Sequence, residues 1–192
     1  TNGTDGACAA AMVLQRYPKA QIVTTSAQRI ALTLDEIAEL DPPPGVIHIC
    51  GAGVSENLGE VITVLGELGK KRTKVLWYCG RGYLDEFRTV LARVCVPVFS
   101  ACSSNTEAVY QHLKIRDNEN TGVLLSLARQ FVNRGLKRSV TDALWHDLVA
   151  AGASRYFKYE DKTSYIHVIQ KLAGLIPLTE ADRREVESYR KE

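Results

Sequence analysis

The sequence predicts an α/β protein with a mainly parallel sheet of about five strands, flanked by helices and followed by a helical carboxyl-terminal third. Short apolar runs rich in β-branched residues alternate with amphipathic stretches as far as about residue 113, which is the pattern of βα units around a parallel sheet. From about residue 120 onward, the periodic segments all have helical spacing. A chain of 192 residues, 45% of them hydrophobic, is long enough to bury one good core.

The first elements follow one another in this order. Residues 7–17 are alanine-rich with helical spacing and end at Pro18, and residues 22–25 read as a short strand. The run Thr33-Leu34-Asp35-Glu36 has the spacing of a capping box, which predicts a helix that starts there and runs to about residue 40.

The rest of the sheet comes after the proline-rich turn at residues 41–45. Strands are predicted over residues 46–50, 74–79 and 96–99. Helices are predicted over residues 55–68, 83–94 and 104–113. Pro97 indicates that the last of these strands lies at an edge of the sheet, because proline cannot donate to a second neighbour.

The carboxyl-terminal third is predicted as a layer of helices over residues 123–132, 140–151, 164–172 and 181–190. The pairs Ser139/Asp142 and Thr179/Asp182 have the spacing of capping boxes at the start of the second and fourth of these helices. We therefore expect an α/β core over residues 1–117 and a helical extension over residues 118–192 that packs on the same domain.

Composition narrows the class of protein. A formal net charge of +2 does not by itself argue for nucleic-acid binding. Five cysteines without regular spacing do not form a secreted disulfide framework and favour a reducing cytoplasm. Because no apolar run reaches the roughly 18 residues of a membrane span and no signal-peptide pattern opens the chain, we expect a soluble cytoplasmic protein with no membrane partner.

Three glycine-bearing segments lie where ligands gather in open α/β sheets, at the carboxyl ends of predicted strands or at the start of a helix. They are Asn2-Gly3-Thr4-Asp5-Gly6, Cys50-Gly51-Ala52-Gly53 and Cys79-Gly80-Arg81-Gly82.

In their order along the chain, these segments resemble the first three motifs of DHH-superfamily phosphoesterases, over about residues 1–115. The resemblance implies a two-metal site of manganese or magnesium at the strand ends, which activates water against a phosphoester. It also implies that the family's phosphate-binding second domain, marked by a glycine-rich stretch that ends in histidine, lies outside this sequence.

The departures from the family's pattern are as informative as the matches. Only Asp5 keeps an acidic motif residue; Cys50 stands where the family has aspartate, and the run from Cys79 to Arg81 stands where it has Asp-His-His. A hard dication prefers oxygen ligands, which glycine and arginine side chains do not supply. We therefore expect a catalytically degenerate relative with no resident cofactor.

Alternatives for these residues stay open. Asp5, Cys50 and Cys79 together offer a softer set of ligands that suits zinc, or the two cysteines are simply small buried residues or a redox pair. Arg81 either receives a phosphate or neutralises Asp5. The segment from Gly51 to Gly53 is either a phosphate-binding turn or an ordinary tight one.

Other polar residues outside these three segments have simpler interpretations. The segment Ser103-Ser104-Asn105-Thr106-Glu107 lies where the family often carries small and hydroxyl residues near its site, but it is expected to act as the N-terminal cap of the helix that it opens. Asp142 and His146 are expected to form a solvent-facing pair one helical turn apart, with Trp145 in the core. His48, His112 and His167 are given no role.

Three hypotheses about function follow. The first is a binding module for a phosphate-bearing small molecule or short oligonucleotide, with contacts from Asn2, Thr4, Asp5, Gly51, Gly53 and Arg81. The second is an active metal-dependent phosphoesterase, with manganese or magnesium, that cleaves oligonucleotides, cyclic dinucleotides or polyphosphate. The third is a scaffold whose helical third docks a protein partner or a second copy of the chain.

Overall fold

The computed structural model describes residues 3–53, 57–79, 87–99, 104–133, 136, 139–159, 161–174 and 176–191, with Cys79 described by its backbone alone. Within these residues the protein is an α/β structure with a three-stranded parallel sheet. The strands are β1 (Val46–Cys50), β2 (Lys74–Cys79) and β3 (Val96–Phe99), in the order β1-β2-β3.

Helices surround this sheet. Two precede it, α1 (Thr4–Arg16) and α2 (Ile30–Ala38); two connect its strands, α3 (Leu58–Lys70) and α4 (Arg88–Leu91); and α5 (Asn105–Leu113) follows β3. The helical third comprises α6 (Glu119–Val132), α7 (Val140–Tyr159), α8 (Lys162–Gly174) and α9 (Glu180–Lys191).

Side chains along each strand point alternately to the two faces of the sheet, and the core is therefore divided into two layers. Cys50 pairs with Tyr78 in the β1–β2 ladder, and these side chains share the face that packs against α1 and α5. The opposite face carries Ile49 and Trp77, which pack against α2 and α3. Because successive strand residues point to opposite faces, each short apolar strand contributes to both layers.

Helix α1 lies at the centre of the first layer. It packs against α5, α6 and α8 as well as the sheet, and the residues of its first two turns are almost entirely buried. Its small side chains, from Ala7 to Ala11, allow this close packing on several sides at once. Gln15 extends the contact by donating from Nε2 to the carbonyl oxygen of Ala173 on α8, at 3.1 Å.

Capping predictions in the helical third are confirmed. The Asp142 amide donates to Ser139 Oγ at 3.0 Å and the Ser139 amide donates back to Asp142 Oδ2 at 3.3 Å. At α9 the Thr179 amide donates to Asp182 Oδ2 at 2.7 Å, and the Asp182 amide donates to Thr179 Oγ1 at 3.3 Å. These bonds satisfy amides that a helix cannot satisfy internally.

The sheet differs from the prediction in its size. Three strands are described rather than about five, and residues 22–25, predicted as a strand, form none. A β-rich sequence becomes a strand only when a neighbouring strand accepts its hydrogen bonds, and none of the described strands pairs with this segment. Among the described strands, the Pro97 strand β3 lies at an edge, as predicted.

Several helix bounds were also wrong. Helix α2 begins three residues before Thr33, whose amide donates to the Arg29 carbonyl at 3.0 Å, so Thr33 is inside the helix and does not cap it. Its hydroxyl instead shares a 2.9 Å hydrogen bond with Thr25. Helix α7 continues to Tyr159, well beyond the predicted end at residue 151. Of the helix predicted over residues 83–94, the described part is the single turn α4.

None of the described helices combines the length and the apolar character that crossing a membrane would require.

Candidate functional site

The amino end of α1 and the amino end of α5 meet at the carboxyl edge of the sheet. Asp5, in the first turn of α1, contacts Asn105 and Thr106, in the first turn of α5. Cys50, the last residue of β1, lies close enough for the Asp5 charge to act on its thiol. The structure therefore brings together the first two of the three motifs that the sequence singled out, and of the third it describes only Cys79.

Asp5 acts as a cap for another helix. The backbone amide and side-chain amide of Asn105 donate to Asp5 Oδ2 at 2.8 and 2.9 Å. The backbone amide and hydroxyl of Thr106 donate to Asp5 Oδ1 at 3.0 and 2.7 Å. A carboxylate offers about four acceptor positions, so these donors occupy the acceptor capacity of a side chain whose residue is only 5% exposed.

Two features of α5 make this arrangement favourable. Its first amides point out of the helix and carry the positive end of the helix dipole, which suits an anion. Ser104 meanwhile satisfies the next donor, since its Oγ accepts from the Glu107 amide at 3.0 Å. The cap predicted within residues 103–107 is thus confirmed, with Ser104 as the capping residue, and Asp5 caps the same helix end from α1.

Thr4, beside Asp5, is held by the helical third. Its Oγ1 lies 2.8 Å from Nδ1 of His146 on α7, and both residues are buried. His146 was predicted to face solvent beside Asp142, and that prediction is wrong. The Asp142 carboxylate instead bonds to Ser139 and to Gln130 Nε2, at 3.3 and 3.0 Å. Trp145 is in the core, as predicted.

An aromatic ring covers the start of α1. A Cβ added to Gly3 would lie 2.4 Å from the tip of the Phe131 ring, so the ring contacts the glycine backbone directly. The same ring stacks on His146, with centroids 6.4 Å apart and planes 21° apart. Phe131 itself remains 40% exposed.

The turn after β1 depends on glycine. Gly51 has φ 68°, in the left-handed region that other residues rarely adopt without strain. The carbonyl oxygen of the next residue, Ala52, accepts a hydrogen bond from the indole nitrogen of the buried Trp77, at 3.0 Å. Helix α3 is described from Leu58 onward, and residues 54–56, which follow Gly53, lie outside the described residues.

Burial makes the cysteine thiols in this region poor ligands. Burial, and second the Asp5 charge, raise the pKa of Cys50 to about 12. The same two causes raise the pKa of Cys8, which follows on α1. A metal-binding thiolate needs the opposite shift.

A second polar group lies farther along the same face of the sheet. His48 Nδ1 and the Tyr78 hydroxyl are 3.0 Å apart, and Tyr17 and His112 lie against these two rings. Partial burial, then the charges of His112 and Lys74, lower the pKa of His48. This group packs between α1, α5 and the sheet.

The remaining predicted site residues are placed as follows. Asn2 and Arg81 lie outside the described residues. The backbone of Cys79 ends β2 one position beyond the Cys50–Tyr78 pair, so it reaches the same edge as Cys50. Among the residues described, no three histidine, cysteine, aspartate or glutamate side chains are grouped as a metal would require.

The manganese, magnesium or zinc that the sequence pattern suggested can be tested against these contacts. An ion at Asp5 would have to displace donors from Asn105 or Thr106, and zinc at Cys50 would have to deprotonate a thiol with a raised pKa. As arranged, Asp5 and Cys50 do not fit a bound cation.

Sequence reasoning missed the partners of the motif residues. The segment that contains Asn105 and Thr106 was weighed as part of the family's site but interpreted as a helix cap, and no contact of Phe131 was predicted. The available signal was the position of Asn105 and Thr106 after β3, another strand of the same parallel sheet. Nothing comparable pointed to His146, because α7 is not connected to any strand.

Comparison of the chain with protein-family models, with curated proteins and with solved structures finds no match.

Proposed function

We propose that this protein is a non-catalytic relative of DHH phosphoesterases that binds a phosphate-bearing ligand at the carboxyl edge of its sheet without a metal ion. The observation that carries the proposal is the environment of Asp5. In a two-metal hydrolase this carboxylate would face the ions. Here it accepts four hydrogen bonds from the first turn of α5.

Support for phosphate as the ligand comes from the rest of this edge. Gly51, directly after β1, carries no side chain, and a glycine at such a turn would permit the close approach of an anion to the backbone. Arg81 follows β2 in the sequence, and a guanidinium binds phosphate through two parallel hydrogen bonds. Because the Asp5 carboxylate already accepts hydrogen bonds from α5, we assign Arg81 to the ligand rather than to an ion pair with Asp5.

Calorimetric titration with inorganic pyrophosphate and with ADP, in EDTA, tests the proposal. We expect both to bind, and Arg81→Ala to abolish binding. Arg93→Ala removes the same charge from an exposed position before β3 and serves as the matched control, with binding unchanged. Equal binding by both variants would refute the assignment of Arg81.

A hydrolysis assay addresses the competing hypothesis of an active enzyme. With bis-p-nitrophenyl phosphate and manganese we expect no turnover above the Asp5→Asn variant. Manganese-dependent cleavage that disappears in Asp5→Asn would overturn the proposal. If neither ligand binds and no cleavage occurs, the protein-docking hypothesis replaces it.

A further inference from the structure

A group of aromatic and basic side chains lies toward the amino-terminal ends of β1 and β2, away from the carboxyl edge of the sheet. Tyr17, which follows the end of α1, lies against His48 of β1, with ring centroids 5.4 Å apart. The guanidinium carbon of Arg16 lies 5.9 Å from the centroid of the Tyr17 ring. Because α1 rises by about 16 Å from Asp5 to Arg16, this group is separate from the site proposed above.

Two further residues belong to the same group. His112, in the last turn of α5, meets the ring of Tyr78 at 5.9 Å, and Tyr78 stacks on His48 at the same centroid distance. Lys74 is the first residue of β2. Burial, and then the positive charges of His112 and Lys74, lower the pKa of His48, so both residues lie near it. His48 is therefore uncharged at neutral pH and contributes a ring rather than a charge.

We call Arg16, Tyr17, His48, Lys74 and His112 the Tyr17 patch. Tyr17 is 43% exposed, and Arg16, Lys74 and His112 are exposed as well. Within the part of the chain that the structure describes, neither Arg16 nor Lys74 forms an ion pair with a carboxylate. Arg16 complements the dipole at the end of α1, but Lys74 begins a strand, so a helix dipole does not account for it. The patch therefore presents positive charge beside aromatic rings.

We propose that the Tyr17 patch binds single-stranded nucleic acid, with Arg16 and Lys74 contacting phosphates and Tyr17 stacking on a base. Proteins that bind single strands combine cations that follow the backbone with aromatic rings on which bases stack, without reading the sequence. Unpaired bases can turn out and stack on such rings, whereas those of a duplex are stacked on one another. An anionic membrane has no bases, so the rings favour an unpaired strand as the partner.

Fluorescence anisotropy with a fluorescein-labelled oligothymidylate tests the role of the charges. Binding by wild type should weaken as salt rises. Replacement of both Arg16 and Lys74 by alanine should make the slope of log affinity against log salt shallower by about 1.4, from about 0.7 for each phosphate contact that is lost. Replacement of both Arg183 and Lys191, which are exposed on α9, removes the same charges and should keep the wild-type slope.

The stacking is tested separately. Tyr17→Ala should weaken oligothymidylate binding by about fivefold to a hundredfold, from the range for base stacking, and leave the binding of inorganic polyphosphate, which has no bases, unchanged. Tyr17→Phe keeps the ring and should bind as wild type does. Tyr159→Ala is the matched control, because it removes a tyrosine that is 71% exposed on α7. Thermal unfolding verifies the fold of each variant.

Three results would overturn the inference. The first is a wild type that does not bind oligothymidylate, or whose binding neither the double charge variant nor Tyr17→Ala weakens. The second is an equal loss of oligothymidylate and polyphosphate binding in Tyr17→Ala, because the ring would then not act on a base. The third is a loss of oligothymidylate binding in Arg81→Ala alone, which would place the strand at the carboxyl edge; we expect this variant to bind it as wild type does.

Discussion

Asp5, which the sequence pattern suggested as a metal ligand, caps a helix instead. Its position in the motif suggested a metal ligand, but its partners are the amides and polar side chains of Asn105 and Thr106. Hydrogen bonds to a charged acceptor are stronger than neutral ones. We interpret Asp5 as a buried cap that joins α1 to α5.

Asp5→Asn tests this interpretation through stability. The variant removes the charge and brings an amide donor against the donors of α5, so the free energy of unfolding should fall by about 1–3 kcal/mol in urea denaturation. Glu36→Gln, at an exposed position on α2, should change it by less than about 0.5 kcal/mol. A stabilised Asp5→Asn would mean that the carboxylate is held for another purpose.

Gly51 provides a second test at a single residue. Because its φ is 68°, Gly51→Ala forces a Cβ into the left-handed region and should destabilise the fold by about 1–2 kcal/mol. For Gly66→Ala we expect the opposite effect. Gly66 lies inside α3 with open space around it, so alanine should stabilise the folded protein by about 0.5–1 kcal/mol. Thermal or urea unfolding of the two variants measures the change in stability of each. Equal changes in the same direction would contradict this explanation.

At the scale of the element, α9 is fixed to the core by a buried ion pair. Lys171 Nζ donates to both oxygens of Asp182, at 2.6 and 2.5 Å, and Thr179 bonds to the same carboxylate. Burial alone would raise the pKa of Asp182, but the bonds from Lys171 and Thr179 outweigh it and hold this pKa below 3.8.

The pH dependence of stability follows from that shift. A carboxylate with a lowered pKa in the folded state stabilises the fold above its unfolded pKa, and this contribution is lost as the pH falls through and below about 3.8. The unfolding free energy of Asp182→Asn should therefore fall less steeply than that of wild type between pH 5 and pH 3. Glu187→Gln, at an exposed position on the same helix, should keep the wild-type slope.

Helices and strands could be predicted where neighbouring residues in the sequence alone determine them. The strand sequences at β1, β2 and β3 and the capping pairs at Ser139 and Thr179 are local signals, and the structure agrees with them. Residues 22–25 have strand-like composition, but a strand also needs a partner, which composition does not encode. Thr33 could cap a helix, but α2 extends three residues earlier and places it in the interior.

The candidate site was predictable only in part, because several of its contacts join residues that are far apart in the sequence. The carboxyl ends of parallel strands meet at one edge of a sheet, which predicts the position of Cys50. Asp5 follows no described strand, and only the resemblance to the family implied that it would lie at the same edge. The contacts of Thr4 with His146 and of Gly3 with Phe131 join residues more than 120 positions apart. Helix α7 meets α1 through tertiary packing, and the spacing of Asp142 and His146 along one helix carried no information about it.

At the scale of the whole molecule, the helical third and the α/β core share one hydrophobic cluster. It extends from α1 and the sheet through α5 to Val186 on α9 and crosses residue 117. Because α1 is covered by α6 and α8, removing the helical third would expose the apolar side chains that α1 buries against them.

We therefore expect residues 1–117 alone to lack a cooperative unfolding transition and dispersed amide resonances. The full chain should unfold in one transition, at the same midpoint by circular dichroism and by tryptophan fluorescence, since Trp77 and Trp145 report on opposite layers. Two separated transitions, or a folded fragment, would show that the two parts are independent.

Calorimetric titration of the full chain with pyrophosphate, first in EDTA and then with excess manganese, tests most directly the claim that this site holds phosphate without a metal. The account predicts the same affinity in both buffers for wild type, and no binding in Arg81→Ala. Binding that appears only with manganese, and is lost in Asp5→Asn, would contradict it.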